Sequence, residues 1–299
     1  MKSPALALLK FDSHRGCLPY AMLCSPVGVE EKDPTGVLPP SYYSQTRGLA
    51  FFRNRWKDAD DILATISADA HNAGIGWDSC GTLGLNLLAF NTRFFGQPEK
   101  SGNMQAYSTL LVDGRNSVGS AAAALGKPDS YEPAKNGGYA IVDGGAVYQG
   151  LGCKSVKRHL LAQFASDKSQ AVLATFDRLE SMTPHVYTWQ ANLARQADDD
   201  GIVPSGGQEG GRPMSLLKGR NEGFVKGWVV HPADAAVEAK GDPLRINVKG
   251  DNVDLWVVML AGQGAPPAAT VTGSGLESVL NVAGNKVRFD AKANRVTAE

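Results

Sequence analysis

The chain has 299 residues, of which 43% are hydrophobic and 20% charged, and its 30 Lys and Arg balance 30 Asp and Glu. That length holds one large β domain or two smaller domains with a sizeable core. Zero net charge gives no global argument for nucleic acid or an anionic membrane surface, and 34 glycines with 16 prolines favour many turns between short strands over long helices.

Residues 1–45 carry little periodicity and are punctuated by Pro19, Pro26, Pro34 and the Pro39-Pro40 pair. They read as a short helical or irregular lead-in and linker. The opening apolar run is too short for a signal-peptide core and ends in charge, so the chain is either cytoplasmic or lacks its native beginning. No run of about 18 apolar residues occurs, so no membrane insertion is expected. Cys17, Cys24, Cys80 and Cys153 form no CxxC pair and no zinc-finger spacing. Cys17 and Cys24 could bridge in an oxidising compartment, but buried free thiols are the simpler expectation.

Strand-like runs follow at 48–56, 62–67, 82–90, 109–112, 139–142 and 147–149. More lie at 155–164, 171–178, 185–193, 223–231, 244–248 and 253–260, and the last at 269–272, 278–282 and 286–289. Alternation is clean where Leu244, Ile246 and Val248 face Arg245, Asn247 and Lys249, which predicts one buried and one wet face. It is partial where Val156, Arg158 and Leu160 face Lys157, His159 and Leu161. Residues 253–260 are apolar on both faces after Asp254, as in a central strand of stacked sheets. Turn chemistry at 142–145, 249–252 and 283–285 suits short hairpin links. The stretch VGSAAAAL at 118–125 makes two helical turns or a loop. Residues 195–222, polar and Gly-rich, read as a long exposed loop, a rim over a binding face. About fifteen strands joined by hairpins predict an all-β chain: a large antiparallel β-sandwich, or supersandwich, with few or short helices.

The residues that carry chemistry cluster early. His71 sits among small neighbours that permit close approach of a ligand, and an imidazole there can stabilise a carboxylate or shuttle a proton. A loop histidine bonded to a backbone carbonyl is the competing reading. Asn72 can orient His71 or serve an Asx turn, and Asp78 can brace the imidazole or cap a turn. Arg53 and Arg55 stand at strand spacing and can hold a carboxylate or sulfate, or be solvated. Trp56 and Trp77 can stack on sugar rings or pack in the core. Tyr107 and Tyr139 are the nearby phenols that could donate a proton, structural roles being the alternative. His159, His185 and His231 read as ordinary sheet residues. No Walker loop, Rossmann glycine set, HExxH or GxSxG occurs.

In order, these segments resemble the C-terminal β-sandwich of heparinase II/III-like polysaccharide lyases. The resemblance runs through Arg53-Asn54-Arg55-Trp56-Lys57-Asp58-Ala59, the loop from His71-Asn72 to Asp78 and Gly81, and Ser108-Thr109-Leu110-Leu111-Val112-Asp113-Gly114. It continues in Asp177-Arg178-Leu179 and Tyr187-Thr188-Trp189-Gln190, and covers about residues 46–299. It implies a sandwich that joins an α/α toroid, with a uronate polymer between them cleaved by β-elimination. In that reading His71, Asn72 and Tyr107 are the catalytic candidates. Arg53, Arg55, Trp77 and Asp78 are the substrate-binding ones. The partners are an acidic polysaccharide and a toroid that is separate or upstream, and no cofactor is implied. The family's His-x-His loop is His71-Asn72-Ala73-Gly74 here, and Asn91 and Tyr107 stand where some members hold a structural metal, so no metal is expected. The resemblance also implies export to the periplasm or beyond. A non-catalytic module that binds carbohydrate or protein is the alternative.

Overall fold

The computed structural model describes residues 38–46, 48–68, 81–96, 107–115, 126–167, 169–193, 202–239 and 243–299. The described chain is an all-β, antiparallel assembly of three sheets with few and short helices. The first sheet is a meander of β1 (Ser41–Ser44), β2 (Leu49–Arg53), β3 (Leu63–Ser67), β4 (Gly84–Ala89) and β5 (Thr92–Phe95), hydrogen-bonded in chain order. Its first strand therefore starts ahead of residue 46.

The second sheet has ten strands. They are β6 (Leu110–Val112), β7 (Lys127–Ala134), β8 (Gly137–Asp143), β9 (Cys153–Phe164), β10 (Ala171–Ala191), β11 (Val203–Glu209), β12 (Arg212–Lys218), β13 (Gly223–His231), β14 (Ala236–Glu238) and β15 (Leu244–Gln263). Its main order is β11-β12-β13-β15-β10-β9-β8-β7, with β6 on β10 and β14 on β15. The third sheet is the C-terminal meander β16 (Ala269–Thr272), β17 (Val279–Val282), β18 (Asn285–Asp290) and β19 (Arg295–Ala298).

Two cores sit on opposite faces of the ten-stranded sheet. Phe52, Ile66, Leu85 and Leu87 of the first sheet pack with Val156, Leu160, Leu173, Leu255 and Val257. On the other face Leu161, Phe176, Trp228, Trp256 and Val258 pack with Leu280, Val282, Val287 and Val296 of the third sheet. The long sheet is thus a middle layer. That is why alternation along 155–164 is only partial: Val156, Arg158 and Leu160 are buried, and so are His159 and Leu161 on the opposite face. Each buried Val or Leu side chain there adds roughly 1.5–3 kcal/mol on leaving water. The expectation that 253–260 is a central strand is met, since β15 lies between β13 and β10.

Four expectations are corrected. Residues 147–149 are not a strand. They belong to a short helix, α1 (Gly145–Tyr148), and a 3-10 turn (Gln149–Leu151), closed by Gly152 at φ 89. Their Val-Tyr pair is apolar because it packs into the core, where Tyr148 is wholly buried and its hydroxyl donates to the Leu110 carbonyl at 2.8 Å. The link at 142–145 therefore enters a helix, not a hairpin. Residues 195–222 are not one loop, because β11 and β12 pair from Val203↔Lys218 to Glu209↔Arg212 around Gly210-Gly211, at φ 59 and 71. An outermost hairpin, with β11 largely wet, shows no apolar alternation, so periodicity missed it. Residues 249–252 do not turn either. They run straight within β15, and the irregularity lies in β10, where the register jumps from Glu180↔Asn252 to His185↔Gly250. The runs 171–178 and 185–193 are accordingly one strand, as are 244–248 and 253–260. The expected hairpin at 283–285 is present, with Val282↔Asn285 paired across Ala283 and Gly284 at φ 49 and 78. Residues 118–125 lie outside the described residues.

Candidate functional site

His71, Asn72, Trp77 and Asp78 lie outside the described residues. The structure describes the two ends between which they run. At one end buried Ala68 donates its amide to the Gly48 carbonyl at 2.7 Å. At the other, Thr82 Oγ1 donates back to the Ala68 carbonyl at 3.3 Å, and Leu83 N donates to the Ser67 carbonyl at 2.8 Å. Leu83 is wholly buried with φ 60, a left-handed conformation that costs a leucine energy unless its surroundings enforce it. Its carbonyl accepts a hydrogen bond from Arg158 Nη1, on β9, at 2.6 Å. The same guanidinium grips Asp177 of β10 in a two-pronged pair, Nε to Oδ1 at 2.6 Å and Nη2 to Oδ2 at 2.7 Å, both side chains fully buried. Burial pushes the Asp177 carboxyl up, and the Arg158 fork pulls it the other way.

The neighbouring chain ends meet the same patch. Thr109 Oγ1 donates to the Thr82 carbonyl at 2.7 Å, and Leu85 N to the Ser108 carbonyl at 2.8 Å. Ser108 Oγ reaches the Gly96 carbonyl at 2.9 Å. Gly126 lies so close to Ala68 that a Cβ there would stand 2.0 Å from the Ala68 oxygen and 2.7 Å from Thr82 Cγ2. The described ends Ala68, Thr82, Gly96 and Ser108 therefore form one buried, hydrogen-bonded junction, against which Gly126 packs closely. Tyr107 joins it: the residue is buried and its carbonyl accepts Gln190 Nε2 at 2.6 Å.

Arg53 and Arg55 both turn to Asp61. Arg53 Nη2 reaches Asp61 Oδ2 at 2.8 Å and Arg55 Nε reaches Oδ1 at 2.8 Å. Lys57 N donates to Oδ2 at 2.8 Å, Asp58 N to Oδ1 at 3.4 Å, and the Arg53 guanidinium lies 4.2 Å from the centre of the Trp56 ring. Desolvation raises the Asp61 carboxyl, but these donors together bring it below the usual carboxylate range. The arrangement shows two guanidiniums at strand spacing holding one carboxylate, here supplied by the chain itself.

Two histidine pairs escaped the sequence reading. His185 Nδ1 donates to Asp113 Oδ2 at 2.7 Å, Val186 N donates to Asp113 Oδ1 at 3.0 Å, and Thr183 Oγ1 lies 3.4 Å from His185 Nε2. Asp113 and Gly114 turn back with φ 49 and 75, which brings the carboxylate to the irregularity in β10. His159 is buried, with Tyr139 Oη 2.7 Å from its Nδ1 and Val296 N donating to that hydroxyl at 3.3 Å. Burial, then the Arg178 charge, lowers His159 to about 4, so the imidazole is neutral and the phenol donates to it. A histidine in an apolar run on a two-sided sheet was the available signal.

Among the described residues no group of three His, Cys, Asp or Glu side chains is placed to hold a metal ion, and no helix is long and apolar enough to cross a membrane. An apolar cleft lined by Phe95, Trp189, Met214, Leu217, Trp228 and Met259 has no titratable side chain in its wall.

No family model matches the chain, and no curated protein matches it by sequence. Its fold does match solved structures. The heparan sulfate lyase HepC from Pedobacter heparinus aligns with a TM-score of 0.63 at 12% identity, covering 99% of this chain and 47% of that one. A heparinase III gene product aligns at 0.61 and 12% identity, over 99% and 47% of the two chains. A further heparinase III structure aligns at 0.55 and 12%, over 87% and 42%. The chain thus has a heparinase III-like β fold and spans about half the length of the proteins it matches.

Proposed function

We propose that the chain is the β-sandwich part of a polysaccharide lyase acting on a uronate-containing acidic polysaccharide, completed by an α/α toroid carried upstream or on another chain. The observation that carries this reading is the fold match over nearly the whole chain to about half of heparan sulfate lyase HepC. In the reaction a base takes the uronate C5 proton, the C–H electron pair forms the C4=C5 double bond, the C4–O bond breaks, and the leaving oxygen takes a proton. His71 takes the C5 proton and Asn72 hydrogen-bonds the uronate carboxylate, where negative charge builds up. Asp78 orients His71, and Trp77 stacks on a sugar ring of the chain. Export to the periplasm or beyond belongs to the same reading.

The test is to mix the full chain with a co-produced toroid partner and heparan sulfate, chondroitin, alginate or ulvan, and to follow the ultraviolet absorbance of the unsaturated product. The expected outcome is turnover that His71→Ala lowers at least a hundredfold. No product from any of these polymers overturns the reading.

A second reading, a non-catalytic module that binds carbohydrate or protein, draws on two observations. Tyr107 is buried, and both Arg53 and Arg55 engage Asp61. Glycan binding without turnover, unchanged by His71→Ala, distinguishes it.

A further inference from the structure

The first sheet buries one face and leaves the other partly exposed around a buried centre at Thr65. Ala50, Phe52, Ala64, Ile66, Leu85 and Leu87 point into the core. The intervening residues form rows across the strands, set by the register: Tyr42, Phe51, Thr65 and Asn86 in one, and Arg53, Leu63, Leu88 and Arg93 in the next. Successive strands lie roughly 4.8 Å apart, so the five strands present a surface about 19 Å wide. None of these outward residues is acidic, nor are Ser44, Leu49 and Ser67 in the row beyond.

The two arginines of the outer face differ in state. Arg53 is neutralised by Asp61. Among the described residues Arg93 has no ion pair, and its Nε is buried with no hydrogen-bond partner, beside Gly96. A guanidinium is always charged and presents a planar fork that matches a carboxylate or sulfate. A partly desolvated fork that, unlike Arg53, has no carboxylate on it among the described residues is complementary to an oxyanion. At the opposite edge Tyr42 is exposed and stands against Phe51, ring centroids 5.6 Å apart. An exposed aromatic ring backed by a second one suits the apolar face of a sugar.

We propose that the outer face of the first sheet is a binding platform for an acidic saccharide chain. Arg93 takes a carboxylate or sulfate at the β5 edge, and Tyr42 with Phe51 takes a sugar ring at the β1 edge. The ligand class rests on the lyase reading above, whereas the location rests on Arg93 and the register. Arg93 here is a ligand-binding residue, with no part in bond cleavage.

The test is calorimetric titration of the full chain with size-defined heparan sulfate and alginate oligosaccharides, with a neutral cello-oligosaccharide as control. The variants are Arg93→Gln, Arg93→Lys, Tyr42→Ala, and Arg245→Gln on β15 as a distant arginine control. Thermal unfolding checks that each variant folds. The expected result is binding of at least one acidic oligosaccharide, weakened tenfold or more by Arg93→Gln and severalfold by Tyr42→Ala. Arg93→Lys, which keeps the charge but not the fork, falls between, and Arg245→Gln binds like the parent chain. Failure of sulfated chains to bind while alginate binds assigns the anion as a carboxylate, and the converse as a sulfate. Acidic binding unchanged by Arg93→Gln overturns the platform, as does equal binding of the neutral sugar or no binding at all. Lysis with a toroid partner is scored separately. Turnover with unaffected Arg93→Gln binding removes the platform alone, and Arg93-dependent binding without turnover removes the lyase reading alone.

Discussion

Arg158 and Asp177 face each other across β9 and β10 as a fully buried bidentate ion pair, and the third arm of the arginine holds the carbonyl of Leu83. One guanidinium thus satisfies a charge in the middle sheet and hydrogen-bonds the left-handed residue that leads into β4 of the first. Removing one member leaves the other charged and unpaired in the core. Asp177→Ala is expected to lower stability by about 3–5 kcal/mol. Replacing both partners, as Arg158→Met with Asp177→Leu, is expected to recover much of that loss. The recovery stops short because the Leu83 carbonyl loses its donor. Urea unfolding of Asp177→Ala and of the double variant measures this. A double variant no more stable than Asp177→Ala contradicts it.

The Tyr139–His159 pair predicts an acid-sensitive stability. The folded imidazole is lowered to about 4, against about 6.5 when unfolded. Between those values the unfolded chain binds more protons than the folded one, so stability rises with pH across that window. The contribution is complete above about pH 6.5 and is lost as pH falls toward 4, by an order of 3 kcal/mol in all. Unfolding midpoints measured from pH 4 to 7 should slope in the parent chain and flatten in His159→Gln. A slope that survives the substitution assigns the effect to other groups.

Asp61 predicts the behaviour of the arginine cluster. Asp61→Asn keeps the shape but removes the counter-charge that Arg53 and Arg55 share, leaving Arg55 only the exposed Asp58 at 3.5 Å. A loss of about 2 kcal/mol is expected near neutral pH, from weakened charged hydrogen bonds. The folded carboxyl lies below its ordinary range, so its stabilisation is present above about pH 4 and lost as pH falls through the folded value. Parent and variant should converge in acid. A difference independent of pH would show that the charge is immaterial.

Gly126 tests the junction of chain ends. Gly126→Ala drives a methyl group into the Ala68 carbonyl and Thr82, and backbone must move to admit it. A loss of about 1–3 kcal/mol is expected. Amide exchange at Ala68, Leu83 and Leu85 should rise more than at the distant third sheet. Uniform acceleration across all three sheets would contradict a local junction.

The sheet architecture was largely legible in the sequence, because apolar runs bounded by Gly, Asn and Asp mark strands wherever at least one face is buried. It failed in three physical situations. Val203–Glu209 and Arg212–Lys218 form the outermost hairpin and show no apolar alternation. Val147 and Tyr148 are apolar for packing but sit between glycines in a helical turn. Strand β10 absorbs extra residues at 181–184 without ending, and a proline-bearing break in pattern looks like a terminus from sequence alone. Candidate residues were legible only as types. Arg53 and Arg55 at strand spacing announced a carboxylate partner, but nothing local named Asp61. The Arg158–Asp177 and Asp113–His185 pairs join residues 19 and 72 positions apart. Only the assembled register brings them together.

The two-sided burial of the middle sheet has a consequence for how faithfully the chain finds its alignment. Along β15, Leu255 and Val257 serve one core while Trp256 and Val258 serve the other. A slip of one residue would exchange the two sets, driving tryptophan toward the first sheet and leucine toward the third. In a sheet with one wet face such a slip is opposed by one hydrophobic penalty. Here it is opposed from both sides at once, so the pairing of β15 with β10 and β13 is specified twice over by shape as well as by apolarity.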